Sequence, residues 1–229
     1  MRPVTMHGDF RQKKRWYKQR PGRVSCTSGK GCDFMQGLNL RAFHEYEDPK
    51  IREFATERWE KGDIEGVLCM MSNERSMAFV ADNWPILKKI GKYEKALLHC
   101  YVTIRTNYSN WSMDTLRFLF MQADIEILRK TGDPIPDQDV FTLYRGVSGI
   151  GRKRRVSGFS WTDSPNTAAW FARRFPDLPD PAVFKVTVPR ESVMACCYDR
   201  QEREYLLLLP LPVKPQRMKI MPEVISPRR

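Results

Sequence analysis

The 229-residue sequence predicts an α+β protein with a helical N-terminal half and a β-rich C-terminal half. Two observations lead to this prediction. Apolar residues recur at helical spacing through residues 38–131, whereas beyond Pro136 they gather into the short runs that are typical of strands. Helices followed by strands are typical of α+β proteins, so we expect the last ninety or so residues to build one sheet.

The composition narrows the class of protein. Hydrophobic residues make up 41% and charged residues 29%, which excludes a collagen-like or wholly disordered chain. No stretch approaches the roughly 18 consecutive apolar residues of a membrane helix, and the N-terminus lacks the apolar core of a secretory signal. We therefore expect a cytoplasmic protein without a membrane partner. The formal net charge of +12 favours acidic partners such as nucleic acid.

Most of the excess positive charge lies at the N-terminus. Residues 1–30 contain nine basic residues and one acidic residue, a net charge of +8. Trp16 and Tyr17 lie among these basic residues, and residues 1–33 show neither helical nor strand periodicity. We predict a flexible basic arm in which Arg15 and Trp16 contact a phosphate backbone and its exposed bases. An acidic protein surface would attract the same arm.

Residues 34–136 are predicted to be a helical region. One apolar stripe includes Leu97 and Tyr101, and a second runs from Leu116 to Ile127, so both are expected to be core. Asp114 is a candidate cap for the second run, which Gly132 and the prolines after it should end. We expect this region and the β-rich residues 137–229 to form one compact unit.

The β-rich half contains four strand-like runs and one helix. Ser164 followed by Pro165 would cap that helix, predicted at 166–175. The predicted strands cover residues 140–144, 183–188, 192–197 and 205–209.

The six cysteines do not indicate a metal site. Their positions lack the paired Cys-x-x-Cys spacing of zinc sites, although Cys26, Cys32 and His44 could in principle ligate a metal. We expect reduced thiols and no metal cofactor.

Three short segments in the β-rich half place a polar residue at the end of an apolar run. They contain Arg145, the Ser160-Trp161-Thr162 sequence, and Glu202-Arg203-Glu204. Taken singly, each has an ordinary explanation: a surface arginine, a hydroxyl near a helix cap, and an exposed strand face.

Together and in this order, the segments resemble the Arg…Ser/Thr…Glu pattern of the toxin-like mono-ADP-ribosyltransferases, of the bacterial or phage type. The resemblance covers residues 138–222 and includes a helix with an Ala-x-x-Phe-Ala-like face after the second segment. Trp161 stands where that family carries a small hydroxyl residue, so either Ser160 or Thr162 can supply the family's hydroxyl. The resemblance implies a core of split antiparallel sheets, with NAD as the ADP-ribose donor.

The resemblance also implies roles for the acidic residues and the arginine. Glu204 would stabilise the oxocarbenium-like sugar formed when the bond between nicotinamide and ribose breaks. Glu202 would activate the acceptor, since alternation in a strand places it on the same face as Glu204, about 6.6 Å away. Arg145 would bind phosphate or ribose oxygens of NAD.

Further residues are expected to contact the two substrates. The expected NAD contacts, besides Arg145, are Tyr144, Gly146, Phe159, Ser160, Trp161 and Thr162. Phe159 and Trp161 are equally compatible with a place in the core. The expected acceptor contacts, besides the arm, are Tyr198 and the basic run Arg152, Lys153, Arg154 and Arg155, which would otherwise be a solvated hairpin tip.

The sequence allows more than one acceptor and more than one function. The charge favours RNA or single-stranded DNA, whereas Glu-x-Glu in the family commonly accompanies transfer to protein arginine. Such an enzyme would act as an intracellular toxin or phage effector, with a separate antitoxin or inhibitor protein as a possible partner. The competing hypotheses are a nucleic-acid-binding protein with an inactive transferase fold, and an α+β domain that has a basic tail and binds no NAD.

Overall fold

A computed structural model describes residues 48–103, 111–151, 154–198 and 202–225 of the chain. The predicted basic arm at 1–33 lies outside these residues and stays a prediction, as do its members Arg15 and Trp16. In the described residues, helices precede an antiparallel sheet, which confirms the α+β class.

Six helices precede the first strand in the described residues. They are α1 (Pro49–Glu60), α2 (Ile64–Cys69), α3 (Asn73–Lys89), α4 (Tyr93–Thr103), α5 (Met113–Gln122) and α6 (Ile125–Thr131). A seventh helix, α7 (Pro165–Arg173), lies between strands. None of the described helices combines the length and the apolar character that a bilayer crossing needs.

Short polar residues begin most of these helices. The Ser164 hydroxyl accepts a hydrogen bond from the amide of Thr167, which confirms the cap predicted for α7. Asp124 accepts from two amides at the start of α6. The cap predicted at Asp114 is wrong, because Ser112 is the extended residue whose hydroxyl accepts from the Thr115 amide.

The second apolar run forms two helices rather than one. Ala123 has an extended backbone (ψ 147°), so α5 ends there and α6 begins after Asp124. This break changes the helical phase. Ile127 is consequently 46% exposed and not part of the core, whereas Leu116 and Phe120 are buried as predicted.

The described strands form one six-stranded antiparallel sheet in the order β4-β5-β2-β1-β3-β6. The strands are β1 (Val140–Val147), β2 (Ser160–Thr162), β3 (Ala182–Pro189), β4 (Val193–Cys197), β5 (Glu204–Leu207) and β6 (Gln216–Arg217). A 3₁₀ turn, Arg190–Ser192, joins β3 to β4.

A single sheet agrees with the prediction made from the apolar runs and differs from the split sheets that the family resemblance implied. The reason is the pairing of β2, which bonds to β1 on one side and to β5 on the other.

The helices and one face of the sheet share a core. Phe159, just before β2, packs against Phe120 of α5, with ring centroids 4.6 Å apart, and Tyr101 of α4 lies edge-on to Phe120. Leu206 of β5 belongs to the same cluster. The other face of the sheet has its own cluster, which includes Trp161. Both faces of the sheet therefore carry buried apolar residues.

Gly146 is the point where α7 meets β1. A Cβ atom at this position would overlap the backbone carbonyl of Ala168 and lie 2.6 Å from the amide nitrogen of Ala172. This contact leaves no room for a side chain, so the structure uses Gly146 for packing of the helix on the strand.

Gly146→Ala is expected to destabilise the fold by about 3 kcal/mol, because a helix backbone cannot move aside as a flexible side chain can. Gly91→Ala is the control. Gly91 has a φ of +67° and nothing within 4 Å of an added Cβ, so it should cost about 1 kcal/mol through backbone strain alone. Urea denaturation measures both, and equal losses would contradict the close contact.

Candidate functional site

Three residues of the predicted site lie in one row across neighbouring strands. Tyr144 of β1 is directly opposite Thr162 of β2, and Thr162 is directly opposite Glu204 of β5. Directly opposed residues of antiparallel strands project from the same face, with Cβ atoms about 4.5–5.5 Å apart. The sheet therefore brings a tyrosine, a hydroxyl and a carboxylate together. We call these three residues the Glu204 row.

Thr162 joins the end of β2 to the segment that leads into β5. Its hydroxyl donates to the backbone carbonyl of Glu202 at 3.0 Å and accepts from the amide of Ser164 at 3.2 Å. The residue is only 5% exposed. Thr162 thus fixes the chain beside both glutamates and the start of α7.

Ser160 lies on the same face as Thr162, two residues earlier, but it is directed to another partner. Its hydroxyl is 2.9 Å from the hydroxyl of Tyr101 in α4. Of the two candidate hydroxyl residues, Ser160 therefore bonds to the helical half, whereas Thr162 is in register with Glu204. No sequence signal marked Tyr101 as a partner, because 59 residues separate it from Ser160.

Arg145 lies on the opposite face of β1 from the Glu204 row, because it directly follows Tyr144 in the strand. Its guanidinium donates to the backbone carbonyl of Arg155 through Nε at 3.1 Å and to that of Ser160 through Nη1. The guanidinium also packs on Gly158, where an added Cβ would lie 2.6 Å from Arg145 Cζ. In this structure Arg145 holds the segment before β2 and does not project beside Glu204.

Glu202 does not continue β5, which corrects the alternation expected for the two glutamates. The residue between them, Arg203, has a φ of +44°, a conformation that residues with a side chain rarely adopt. The strand begins at Glu204, so an extended period of two cannot place Glu202. The position of Glu202 is set instead by the hydrogen bond that its carbonyl accepts from Thr162.

On the other face, Arg203 belongs to a charged network with residues at the end of β2 and in β5. Arg203 Nη2 is 2.7 Å from a carboxylate oxygen of Asp163, and the same oxygen accepts a hydrogen bond from the Tyr205 hydroxyl at 3.1 Å. The Arg203 guanidinium also lies 5.9 Å from the centre of the Tyr198 ring. Burial raises the pKa of Tyr205, which keeps its hydroxyl protonated and able to donate. Sequence reasoning missed Asp163, although it directly follows Thr162.

Two aromatic residues expected to contact NAD are enclosed by the protein. Phe159 and Trp161 are each 2% exposed, in the two cores on opposite sides of the sheet. The Trp161 indole N–H donates to the carbonyl of Gly158 at 2.9 Å. Both are core residues, so we retain neither as a contact for a planar ring. Tyr144, which packs partly on α7, is the remaining aromatic candidate.

The expected acceptor residues that the structure describes are bonded to other parts of the protein. Arg154 forms an ion pair of 2.5 Å with Asp180, and Arg155 donates to the carbonyl of Trp111 at 3.5 Å. The Tyr198 hydroxyl donates to the carbonyl of Pro134 at 3.2 Å. The remaining members, Arg152 and Lys153, lie outside the described residues, as do the arm residues.

No set of three or more histidine, cysteine or acidic side chains is arranged for a metal ion within the described ranges. The comparisons with known proteins add no assignment. No family model matches the chain, and neither the curated proteins nor the solved structures give a significant match.

The strain at Arg203 can be measured with two substitutions. Arg203→Ala and Arg203→Gly both remove the ion pair with Asp163, but only alanine keeps the cost of a positive φ. We expect the glycine variant to be more stable than the alanine variant by about 1 kcal/mol, as measured by urea denaturation. Equal stabilities would show that Arg203 is not held in the left-handed region.

Proposed function

We propose that this chain is an NAD-dependent mono-ADP-ribosyltransferase in which Glu204 is the catalytic carboxylate. The observation that supports the proposal best is the Glu204 row. The second and third segments of the Arg…Ser/Thr…Glu pattern lie far apart in sequence but on adjacent strands, with Thr162 directly opposite Glu204.

The proposed ligand of this sheet face is the nicotinamide riboside end of NAD. The carboxylate of Glu204 can accept a hydrogen bond from a ribose hydroxyl, and Glu204 is partly exposed. Ser160 lies on the same face outside the row, and its hydroxyl could bond to the amide of nicotinamide in addition to Tyr101. The described arginines that were predicted to contact substrates bond to protein groups, so they do not support a pyrophosphate site beside the row. Arg145 then acts as a positioning residue, because it anchors the backbone of Ser160.

In the proposed reaction the bond between nicotinamide and ribose breaks heterolytically. Nicotinamide leaves with the bonding electrons, and the ribose carbon gains positive charge that Glu204 stabilises most strongly in the transition state. A nucleophilic atom of the acceptor then bonds to this carbon and loses its proton, with Glu202 as the proposed base. In hydrolysis, water bonds to the ribose carbon in place of the acceptor and passes its proton to solvent, without Glu202.

The proposed acceptor is nucleic acid, either RNA or single-stranded DNA. The support is the net charge of +12, most of which lies in the first 30 residues. Protein arginine is the alternative. Such an enzyme would act as a toxin or phage effector inside the cell that makes or receives it.

One observation favours a second candidate, a nucleic-acid-binding protein with an inactive transferase-like fold. Arg145, the first member of the pattern, is bonded to backbone carbonyls on the face opposite Glu204.

Growth of cells expressing the chain separates the two candidates. An active transferase should arrest growth and lose this effect with Glu204→Gln, whereas a binding protein should keep any effect in that variant.

Glu204→Gln should lower the rate of nicotinamide release from NAD by about 10²–10³-fold, because it removes the charge that stabilises the transition state while keeping the shape of the side chain. Glu202→Gln should retain NAD hydrolysis but lose transfer. Glu191→Gln, an exposed glutamate in the 3₁₀ turn, is the matched control and should behave as wild type. Chromatographic assay of nicotinamide measures all four proteins, and equal release by wild type and Glu204→Gln would contradict the assignment.

The acceptor is identified by incubating the wild-type protein with NAD labelled in its ADP-ribose part and total cell lysate. We expect nuclease digestion to release the label from the macromolecular product and protease digestion to leave it in place. Release by protease alone would instead assign a protein acceptor. It would favour protein arginine, the acceptor that commonly accompanies Glu-x-Glu in the family.

A further inference from the structure

A cysteine and a histidine from two different helices meet in the helical half. Cys69 is the last residue of α2, and its Sγ atom is 3.6 Å from Nε2 of His99 in α4. In the tautomer that carries its proton on Nδ1, the imidazole accepts a hydrogen bond from the thiol. Packing of α2 against α4 fixes this pair independently of the Glu204 row.

Cys69 differs from the other described cysteines in being exposed. Cys100 and Cys196 are fully buried, and Cys197 is 8% exposed. Burial raises the pKa of Cys100 and of Cys196 to about 12, so these thiols stay protonated and unreactive near neutral pH. The described part of the chain therefore has one accessible thiol and three buried thiols, whose reactivity can be compared with that of Cys69.

The surroundings keep His99 in its neutral form, in which a ring nitrogen can accept the hydrogen bond of the Cys69 thiol. Burial lowers the pKa of His99 below its usual value of 6.5, so the imidazole is neutral at pH 7. The charged groups that act on it are Glu65 of α2 and Lys95 of α4, which form an ion pair of 2.8 Å and have opposite effects. A neutral imidazole beside a thiol is the arrangement that activates cysteine nucleophiles.

We propose that Cys69 and His99 form a reactive thiol site that is modified by low-molecular-weight disulfides of the glutathione type. His99 accepts the proton of the Cys69 thiol, and the sulfur attacks one sulfur of the disulfide. A new S–S bond forms at Cys69 as the original S–S bond breaks, and the leaving thiolate takes the proton from His99. The disulfide is the only oxidant that the step requires.

The site lies on a helix that also reaches the candidate active site. Tyr101, two residues after His99 in α4, meets the hydroxyl of Ser160. An adduct at Cys69 would therefore sit against the helix that positions Ser160. The modification itself does not depend on the proposed transferase activity.

The test uses the full chain with Cys26→Ser and Cys32→Ser, because those two cysteines lie outside the described residues. Glutathione disulfide at pH 7.5 is the probe, and mass spectrometry of intact protein and of peptides follows the adduct. We expect one adduct, on Cys69, forming about tenfold faster in the folded protein than at Cys69 in urea, where His99 is no longer adjacent. Buried Cys100, Cys196 and Cys197 should react only in urea.

Substitutions test the role of the imidazole. His99→Asn and His99→Gln should each slow adduct formation at Cys69 about tenfold. Lys89→Gln, which removes an exposed positive charge at the end of α3, should leave the rate unchanged. Circular dichroism establishes that the variants are folded. The proposal is overturned if folded Cys69 reacts no faster than in urea, or if a folded His99 variant keeps the wild-type rate.

Discussion

The three-residue strand β2 is the constraint on which the rest of the structure depends. Its pairing with β1 and β5 converts two groups of strands into one sheet. Residues at its ends fix it from outside the ladder: Phe159 packs into the helical core, and Thr162 bonds to the carbonyl of Glu202. The position of β2 also creates the Glu204 row, because Thr162 is paired with Tyr144 of β1 on one side and with Glu204 of β5 on the other.

Much of the fold could be predicted because local signals and tertiary structure agree. Short apolar runs gave bounds for β3 and β4 within a residue or two, and Ser164-Pro165 marked the start of α7. Prediction failed where two signals compete. Both Ser112 and Asp114 can cap α5, and only the extended backbone at Ser112 decides between them.

The three segments of the candidate site were chosen from the sequence, but the faces on which their residues lie were not all predicted. Strand alternation applies to β5, which is regular from Glu204 onward. It fails for Glu202, because Arg203 between the two glutamates has a positive φ, and no sequence pattern records this or the ion pair of Arg203 with Asp163. The same alternation places Arg145 opposite the row, where the carbonyls of Arg155 and Ser160 bind it.

A crystal structure of the Glu204→Gln variant grown with NAD tests the central claim most directly, because the substitution should slow cleavage while keeping the binding surface. The nicotinamide ribose is predicted to lie on the sheet face of Tyr144, Thr162 and residue 204, within hydrogen-bonding distance of the substituted side chain. NAD bound on the face of Arg145, or no NAD in crystals grown at millimolar concentration, would contradict the assignment of Glu204 as the catalytic carboxylate.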